Sequence, residues 1–324
     1  MATGWFDIHS HFSPPGTAEQ ARAVWQAMRD EFFLMPEPYV WSADRQLQHM
    51  DATGVAMQLL SQVPRVHAGP SLTRVHEAIT ASNRYGASQV AAHPDRFGLL
   101  AALPTDSAES ALAEMHRTDA LDTDGYLLVA PFAGVHLGAS FLEPLWAELE
   151  RRGKPVIVHP DAHAPGAQGR PSPLVEVAFD TARSAIDMLY AGVLLKHPSL
   201  TVVLTHAGGA FPAVSGRLGL LGTEQWVPNP LGLSSEDLAE QAKRLYVDTA
   251  ASSADSLLGP AVHVVGEDHV VYGSDGGTPC TSEANVETVI AELRKSSVLS
   301  PMGAEAIGRR GFSLFPEAAR RAAV

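Results

Sequence analysis

Four side chains of the kinds that bind metal ions are spread over most of this 324-residue chain. They are His9, His11, His159 and Asp275, and each of them lies just past an apolar run. Neutral imidazoles combined with one carboxylate suit zinc, and also manganese or iron. The residue types therefore predict a divalent-metal site, with zinc as the first choice and manganese or iron as alternatives.

The spacing of the first two histidines supports this interpretation. Side chains two residues apart on a β-strand point to the same face, so His9 and His11 can reach one ion together. Taken singly, each residue has a blander explanation: two histidines in an exposed loop, a hydrogen-bonded histidine at a strand terminus for His159, and a helix N-cap for Asp275. The combination at strand ends is what favours a metal site.

A fifth residue, His206, lies in the glycine-rich segment 204–212. Glycines let a backbone or a substrate approach closely, and a histidine beside them is suited to proton transfer or to assisting a metal-bound water. The alternative is that His206 is a further metal ligand, and the sequence does not separate the two. Among the other histidines, only His163 is placed to face the same site, four residues after His159.

Apolar runs of the β type alternate with helical patterns along the chain, which predicts a closed TIM barrel of eight strand-helix units. A doubly wound open sheet is the alternative, but it would place a ligand at one switch point. A barrel instead brings the carboxyl ends of all strands to one face, where distant ligands can meet. The predicted strands are residues 5–8, 55–60, 97–103, 126–129, 155–158, 200–204, 245–247 and 270–272.

The chain reads as a single domain, residues 1–324, because no linker or internal repeat divides it. Residues from about 14 to 44 form a long insertion after strand one, which we expect to act as a lid. Residues 142–152 have apolar side chains at helical spacing and precede Gly153, a helix stop signal. The proline- and glycine-rich stretches 162–173 and 227–233 are predicted loops on the barrel.

Composition excludes several classes of function. With 45% hydrophobic and 18% charged residues the chain can bury a substantial core. A net charge of −13 with scattered basic residues argues against nucleic acid as a partner. We find no signal peptide and no membrane span, and the single cysteine, Cys280, cannot form an intramolecular disulfide. We expect a cytoplasmic protein that acts on a small molecule.

These motifs together resemble the amidohydrolase superfamily, in particular the amidohydrolase-2 branch that is similar to aminocarboxymuconate semialdehyde decarboxylase. The resemblance covers nearly the whole chain and is carried by residues 7–11, 49–51, 54–55, 59–64, 158–160, 205–212, 273–275 and 314–316. It implies that His9, His11, His159 and Asp275 hold one divalent metal, usually zinc and sometimes manganese. It also implies that His206 is the acid/base histidine.

Lysine usage bears on the number of metals. Binuclear amidohydrolases bridge two metals with a carboxylated lysine at the end of strand four, but no lysine lies between His11 and Lys154. The remaining lysines are Lys196, Lys243 and Lys295. Strand four therefore offers no bridging lysine, and we predict a mononuclear site. One metal is still able to activate a water or polarise a carboxylate.

The predicted activity is decarboxylation of a small aromatic or unsaturated carboxylic acid, in which His206 and Asp275 are the catalytic residues and His206 moves a proton as carbon dioxide departs. A hydrolase or hydratase acting on an ester, lactone, amide or conjugated acid is the alternative on the same site. A catalytically silent binding protein is a third hypothesis. Retention of the four ligands together with His206 argues against it, since a structural metal site is usually closed by protein ligands.

The resemblance also concerns substrate binding. Arg217 matches an arginine that binds a substrate carboxylate across a dimer interface, so a homodimer is expected; an exposed helical arginine is the alternative. A second carboxylate-binding arginine is missing, because residues 31–36 are apolar and acidic. This makes a substrate with two carboxylates doubtful. Residues 276–279 replace bulkier residues, which we expect to enlarge the pocket, and Arg309-Arg310 replaces a usual Gly-Asn pair.

Overall fold

The computed structural model, which describes residues 4–66 and 71–322, contains the eight predicted strands as one parallel sheet. Each strand pairs with the next one along the chain, in the order β1 to β8. The strands are β1 Trp5–His11, β2 Val55–Ser61, β3 Phe97–Leu103, β4 Gly125–Val129, β5 Val156–His159, β6 Val202–Leu204, β7 Tyr246–Asp248 and β8 Val270–Val271.

The sheet closes on itself, so the fold is a TIM barrel as predicted and not an open doubly wound sheet. Beyond the end of β8, the backbone N–H of Asp275 donates to the His9 carbonyl at 2.9 Å, and that of His11 donates to the Gly276 carbonyl at 2.8 Å. We call this junction of the first and last strands the seam. It runs directly through three of the residues predicted to bind metal.

Burial explains why these short segments form strands. All residues of β1, β3, β4, β5, β6 and β8 are buried, as expected for a parallel sheet that is covered on both faces. Such strands appear in the sequence as nearly continuous apolar runs. The buried polar side chains of the barrel strands, such as Asp7 on β1, Gln58 on β2 and Asp248 on β7, must then be satisfied by hydrogen bonds inside the barrel.

Helices connect the strands. In the described part of the chain they are α1 Ala18–Asp30, α2 Ala43–Thr53, α3 Leu72–Ala92, α4 Ala108–Arg117, α5 Glu143–Arg152, α6 Glu176–Tyr190, α7 Val193–Lys196, α8 Phe211–Leu221, α9 Ser235–Lys243, α10 Asp255–Val265, α11 Glu283–Lys295, α12 Gly303–Leu314 and α13 Pro316–Ala322. The predicted helix before Gly153 is confirmed as α5. It ends at that glycine, whose φ of 64° is readily adopted only without a side chain.

The insertion after β1 consists of α1 and the extended residues that lead to α2. Thr17 caps α1 in a capping box with Gln20, which fixes where the helix begins. No residue of α1 is buried, so the helix lies on the surface of the barrel. Residues 227–233 form a loop, as predicted, and the predicted loop 162–173 is a loop up to residue 171 and then enters a short 3-10 helix, Ser172–Leu174. Within the described ranges, no helix has the length and apolarity needed to cross a membrane.

Candidate metal centre and active site

His9, His11, His159 and Asp275 converge at the carboxyl ends of β1 and β5 and just beyond β8, and we call this group the metal centre. One nitrogen or oxygen atom from each lies within 4.8 Å of the others. The Nε2 atoms of His9 and His11 are 2.9 Å apart, and Asp275 Oδ1 is 3.1 Å from His11 Nε2. All four residues are buried.

The three histidine rings are oriented by their other nitrogen atoms. His9 Nδ1 lies 2.6 Å from Asp248 Oδ2, His11 Nδ1 lies 3.0 Å from the Ser61 hydroxyl, and His159 Nδ1 lies 2.6 Å from the Pro160 carbonyl oxygen. A ring that donates from Nδ1 carries its lone pair on Nε2. This is how proteins fix the tautomer of histidines that bind metals through Nε2.

A metal ion fits this donor set. His159 Nε2 is buried and has no hydrogen-bond partner within the described ranges, which is costly unless something else occupies its lone pair. Burial lowers the pKa of His11 and lowers that of His159 well below its usual value. Both rings are therefore neutral at pH 7, which is the protonation state that metal binding requires.

The carboxylates supply the complementary negative charge. Burial opposes protonation of His9, but the charges of Asp248 and Asp275 outweigh burial and raise the pKa of His9 to about 9. Burial would also raise the pKa of Asp275, yet the hydrogen bond with His11 and the neighbouring rings lower it. Asp275 is thus ionised. The same field that favours a proton on His9 would attract a divalent cation.

Asp248, the last residue of β7, connects the metal centre to His206. Its Oδ2 holds His9, while its Oδ1 accepts a hydrogen bond from the backbone N–H of His206 at 2.8 Å. The side chain is completely buried. The sequence interpretation missed this residue. The available signal was its position directly after the predicted strand 245–247, the same position that identified His159.

His206 lies beside the metal centre and outside the four-residue donor group. Its ring centroid is 5.3 Å from those of both His9 and His159. Its Nδ1 is buried without a partner in the part of the chain that the structure describes, and burial lowers the pKa of the ring. A neutral histidine at this position can accept a proton and release it again near the donor group.

The backbone at the site is held in an uncommon conformation. Asp275 and His206 both have φ of 57°, and Ala207 has φ of 54°, values in the left-handed region that residues with side chains seldom adopt. Such residues persist only where the surrounding structure enforces them, and they cluster at functional sites. Two of these three residues, His206 and Asp275, carry functional side chains.

The segment that follows β8, residues 276–281, forms one wall of the site. Gly277 has φ of 82°, and a Cβ atom there would lie 2.0 Å from the His11 carbonyl oxygen, so only glycine fits. The Thr281 hydroxyl donates to Asp275 Oδ2 at 2.9 Å and fixes that carboxylate. Thr278 and Cys280 line the cavity, at the segment where the family resemblance led us to expect a larger pocket.

A cavity of about 760 Å³ opens above the metal centre, within the usual range for small-molecule sites. His11, His159, His206 and Asp275 form its floor. The insertion 14–44 contributes side chains to its rim, and so do residues 62–65 after β2 and residues 162–174 after β5. The rim residues from the insertion are Ala27, Met28, Asp30, Glu31 and Phe33, and His163 lies in the second loop.

Two arginines are placed differently, relative to the cavity, from what the sequence interpretation predicted. Arg217 is exposed on α8 and does not line the cavity, so one chain alone does not bring it to the site. Arg65, which the sequence interpretation passed over, does line the cavity. Its only sequence signal was its position four residues after the end of β2. Residues 309 and 310, the altered pair, lie on α12, outside the cavity lining.

The lysine prediction agrees with the structure. No residue of β4 is a lysine. Lys154 lies before β5, where its Nζ donates to the Thr123 carbonyl and pairs with Glu317 at 3.4 Å. The described residues therefore offer one metal-binding group of this kind and no lysine to bridge a second ion.

Comparison with known proteins agrees with this geometry. The amidohydrolase family model matches residues 6–298. The chain is 29% identical over 278 residues to a 6-methylsalicylic acid decarboxylase of Penicillium expansum, covering 83% of each protein.

Solved structures share the fold. A 2,6-dihydroxybenzoate decarboxylase in complex with 2,6-dihydroxybenzoate superposes with a TM-score of 0.78 at 22% identity, covering 97% of this chain and 98% of the other. A dihydroxybenzoic acid decarboxylase from Polaromonas sp. JS666, with bound manganese and 2-nitroresorcinol, superposes with a TM-score of 0.76 at 22% identity and 97% coverage of both chains.

Proposed function

Because the chain belongs to the amidohydrolase family, we propose that it is a mononuclear metal-dependent decarboxylase of a small aromatic or unsaturated carboxylic acid. One observation carries the proposal. Three imidazoles with Nδ1 already hydrogen-bonded, and one ionised carboxylate, meet at the base of a cavity whose floor also contains a neutral histidine outside the donor group. This combination provides both an anchor for an anionic substrate and a group to move a proton.

His9, His11, His159 and Asp275 would hold the divalent metal. When bound there, the ion would supply positive charge that fixes and polarises an oxygen of the substrate. The protein prepares this position in advance, since Asp248, Ser61 and the Pro160 carbonyl already orient the rings. Little rearrangement of the chain is then needed during the reaction.

His206 would transfer the proton that the reaction requires. Loss of carbon dioxide from a carboxylate leaves an electron pair on carbon, and that carbon must take up one proton to give the product. Burial lowers the pKa of His206, so a proton that it carries is released readily. The hydrogen bond from its backbone to Asp248 fixes the ring beside the floor of the cavity.

The cavity wall supports an apolar substrate. Phe12, Met28, Phe33, Val63 and Val177 line it, and a flat hydrophobic ring buries well against such side chains. The similar proteins point the same way, because the Penicillium expansum relative is named for 6-methylsalicylic acid and a structural neighbour for 2,6-dihydroxybenzoate. Both compounds are aromatic carboxylic acids.

Finer assignments complete the proposal. We expect zinc as the resident metal, with manganese or iron as alternatives, and a cytoplasmic enzyme without nucleic-acid or membrane partners. The insertion 14–44 would act as a lid within the single domain. A homodimer would be needed for Arg217 to reach a substrate, because within one chain Arg217 is exposed on α8.

The test combines metal analysis with carbon dioxide release. The purified protein should contain about one metal per chain and release carbon dioxide from 6-methylsalicylate or 2,6-dihydroxybenzoate. His206→Asn should retain the metal and lose most of the activity, while His263→Asn, an exposed histidine on α10, should retain both. Absence of metal, or an active His206→Asn variant, would contradict the proposal. Products that retain the carboxyl carbon would instead identify the hydrolase or hydratase.

A further inference from the structure

Arg65 is the only lysine or arginine among the described residues that line the cavity. It lies four residues beyond β2, whereas the metal centre is built at β1, β5 and β8. The cavity thus has two positions that can attract a negatively charged group. One is the floor, where a cation would bind, and the other is the Arg65 guanidinium on the wall.

The guanidinium is not fully satisfied by the described residues. Its Nε is buried without a hydrogen bond within residues 4–66 and 71–322. Burial lowers the pKa of Arg65, although the charge of Asp161 partly offsets this effect. An arginine remains charged even so. A permanent charge that is partly buried and has an unsatisfied Nε–H favours an anion that can supply both a charge and an acceptor.

The remaining cavity charges make this position distinctive. Asp30 and Glu31 lie at the rim, and Glu31 accepts a hydrogen bond from the Gly166 backbone at 3.0 Å. These carboxylates repel an anion that approaches the rim. Among the described residues of the wall, Arg65 is therefore the permanent cation that attracts a second negative group.

The departing carboxylate is a poor partner for Arg65. That group becomes neutral carbon dioxide, so an ion pair with it is stronger in the ground state than in the transition state and would slow the reaction. A carboxylate that the product retains keeps its charge throughout. Bidentate pairing with such a group binds the substrate without raising the barrier.

We propose that Arg65 binds a second carboxylate of the substrate, one that is not lost in the reaction. The substrate class is then an aromatic or unsaturated dicarboxylic acid, and Arg65 is a specificity-determining residue supplied by the same chain. This inference rests on the proposed decarboxylase function and is an alternative to the expectation, drawn from residues 31–36, that two carboxylates are doubtful. The cation is present, but on a different element.

The experiment compares two unreactive probes, isophthalate with two carboxylates and benzoate with one. Calorimetric titration of the purified full-length protein should show isophthalate binding more tightly than benzoate. Arg65→Gln should weaken isophthalate about 10- to 100-fold and change benzoate less than about threefold. Arg65→Lys should retain part of the preference, because it keeps the charge and loses the bidentate geometry.

Arg74→Gln is the matched control, since Arg74 is exposed on α3 and pairs with Glu77. It should bind both probes as the unmodified protein does. Equal binding of the two probes by the unmodified protein, or an equal loss for both probes in Arg65→Gln, would overturn the proposal. If Arg65→Gln does not fold, the preference of Arg65→Lys decides. Because no turnover is measured, failure to detect decarboxylation leaves this result independent.

Discussion

The floor and the wall of the cavity are built in opposite ways. The four ligand residues at and below the floor are buried, and hydrogen bonds to other strand ends hold two of them, His9 to Asp248 and Asp275 to the His9 carbonyl. The wall comes from the insertion 14–44 and from loops, and several of its side chains, including Leu174 and Glu31, are exposed. Strands therefore fix the chemistry, while loops select the substrate.

This division follows from barrel architecture. A residue at a strand end inherits its position from the whole sheet, and replacing it disturbs partners on other strands. A loop residue is constrained mainly by its neighbours in sequence, so it can change while the chemistry is retained. Substitutions in the two regions should accordingly affect different measurements.

The largest effect is expected from His159→Ala in the floor. Removal of one donor from the metal centre should abolish tight metal binding and lower kcat/KM about a thousandfold, or about 4 kcal/mol of transition-state stabilisation. Metal content and carbon dioxide release measure this. His116→Ala, which removes a mostly exposed histidine, is the control. A His159→Ala variant with full metal and activity would show that the floor is not the chemical centre.

A smaller effect is expected one step away from the metal, at Asp248. Asp248→Asn places an amide beside His9 and weakens the orientation of its ring, so metal affinity should fall about 10- to 100-fold. Competition with a chelator measures the dissociation constant. Asp255→Asn changes a surface carboxylate that binds Ser296 and Ser297, and it should leave the affinity unchanged. Equal metal affinities in the unmodified protein, Asp248→Asn and Asp255→Asn would show that Asp248 does not support the metal centre.

In the wall, Phe33→Ala should raise KM about three- to tenfold and leave kcat and metal content nearly unchanged. The ring lines the cavity, and its loss removes part of the apolar surface against which a substrate packs. Phe32→Ala provides a closely matched control, because Phe32 is more exposed and does not line the cavity. A fall in kcat with unchanged KM would contradict the division between floor and wall.

The smallest effect lies outside both regions, at Glu148 on α5. Hydrogen bonds from Arg151 and Arg152 lower the pKa of Glu148 from 4.5 to about 2. Its ionised form therefore stabilises the folded state above pH 4.5, and this contribution is lost as the pH falls through about 2. Glu148→Gln should remove that pH dependence, changing the unfolding free energy by about 1 kcal/mol or less.

Thermal unfolding of the Glu148→Gln variant between pH 5 and pH 2 measures this contribution. Glu240→Gln, which removes an exposed pairing with Lys243, is the control for a general loss of negative charge. Carbon dioxide release should be unchanged in both variants. An altered KM or kcat in Glu148→Gln would show that the barrel surface influences the cavity.

The difference between floor and wall also explains what the sequence predicted. His9, His11, His159 and Asp275 each lie at or just past the end of an apolar run, and a barrel brings such positions together whatever the details of its loops. The eight strands were predicted for the same reason, with bounds that differ by up to three residues. These features depend on local patterns and on a topology with few alternatives.

Residues whose role depends on contacts with parts of the chain distant in sequence were harder to predict. Asp248 is 239 residues from His9, and its role becomes visible only when β7 and β1 lie in one barrel. Arg65 is not part of any sequence motif with regular spacing. It reaches the cavity only because the loop after β2 follows a particular path. The proposed role of Arg217 depends on a second copy of the chain. Local patterns contain none of this information.

Because the metal centre lies at the seam, metal binding should also affect how the barrel opens and unfolds. His9 and His11 belong to the first strand and Asp275 follows the last one, so an ion bound by them would tie together segments near the two ends of the barrel sequence. Asp7 and Ser274 already join these ends through a buried hydrogen bond of 2.6 Å. The ion would cross-link the first and last strands of the closed sheet. Depletion of metal should therefore promote local opening between these two strands before the remaining six separate.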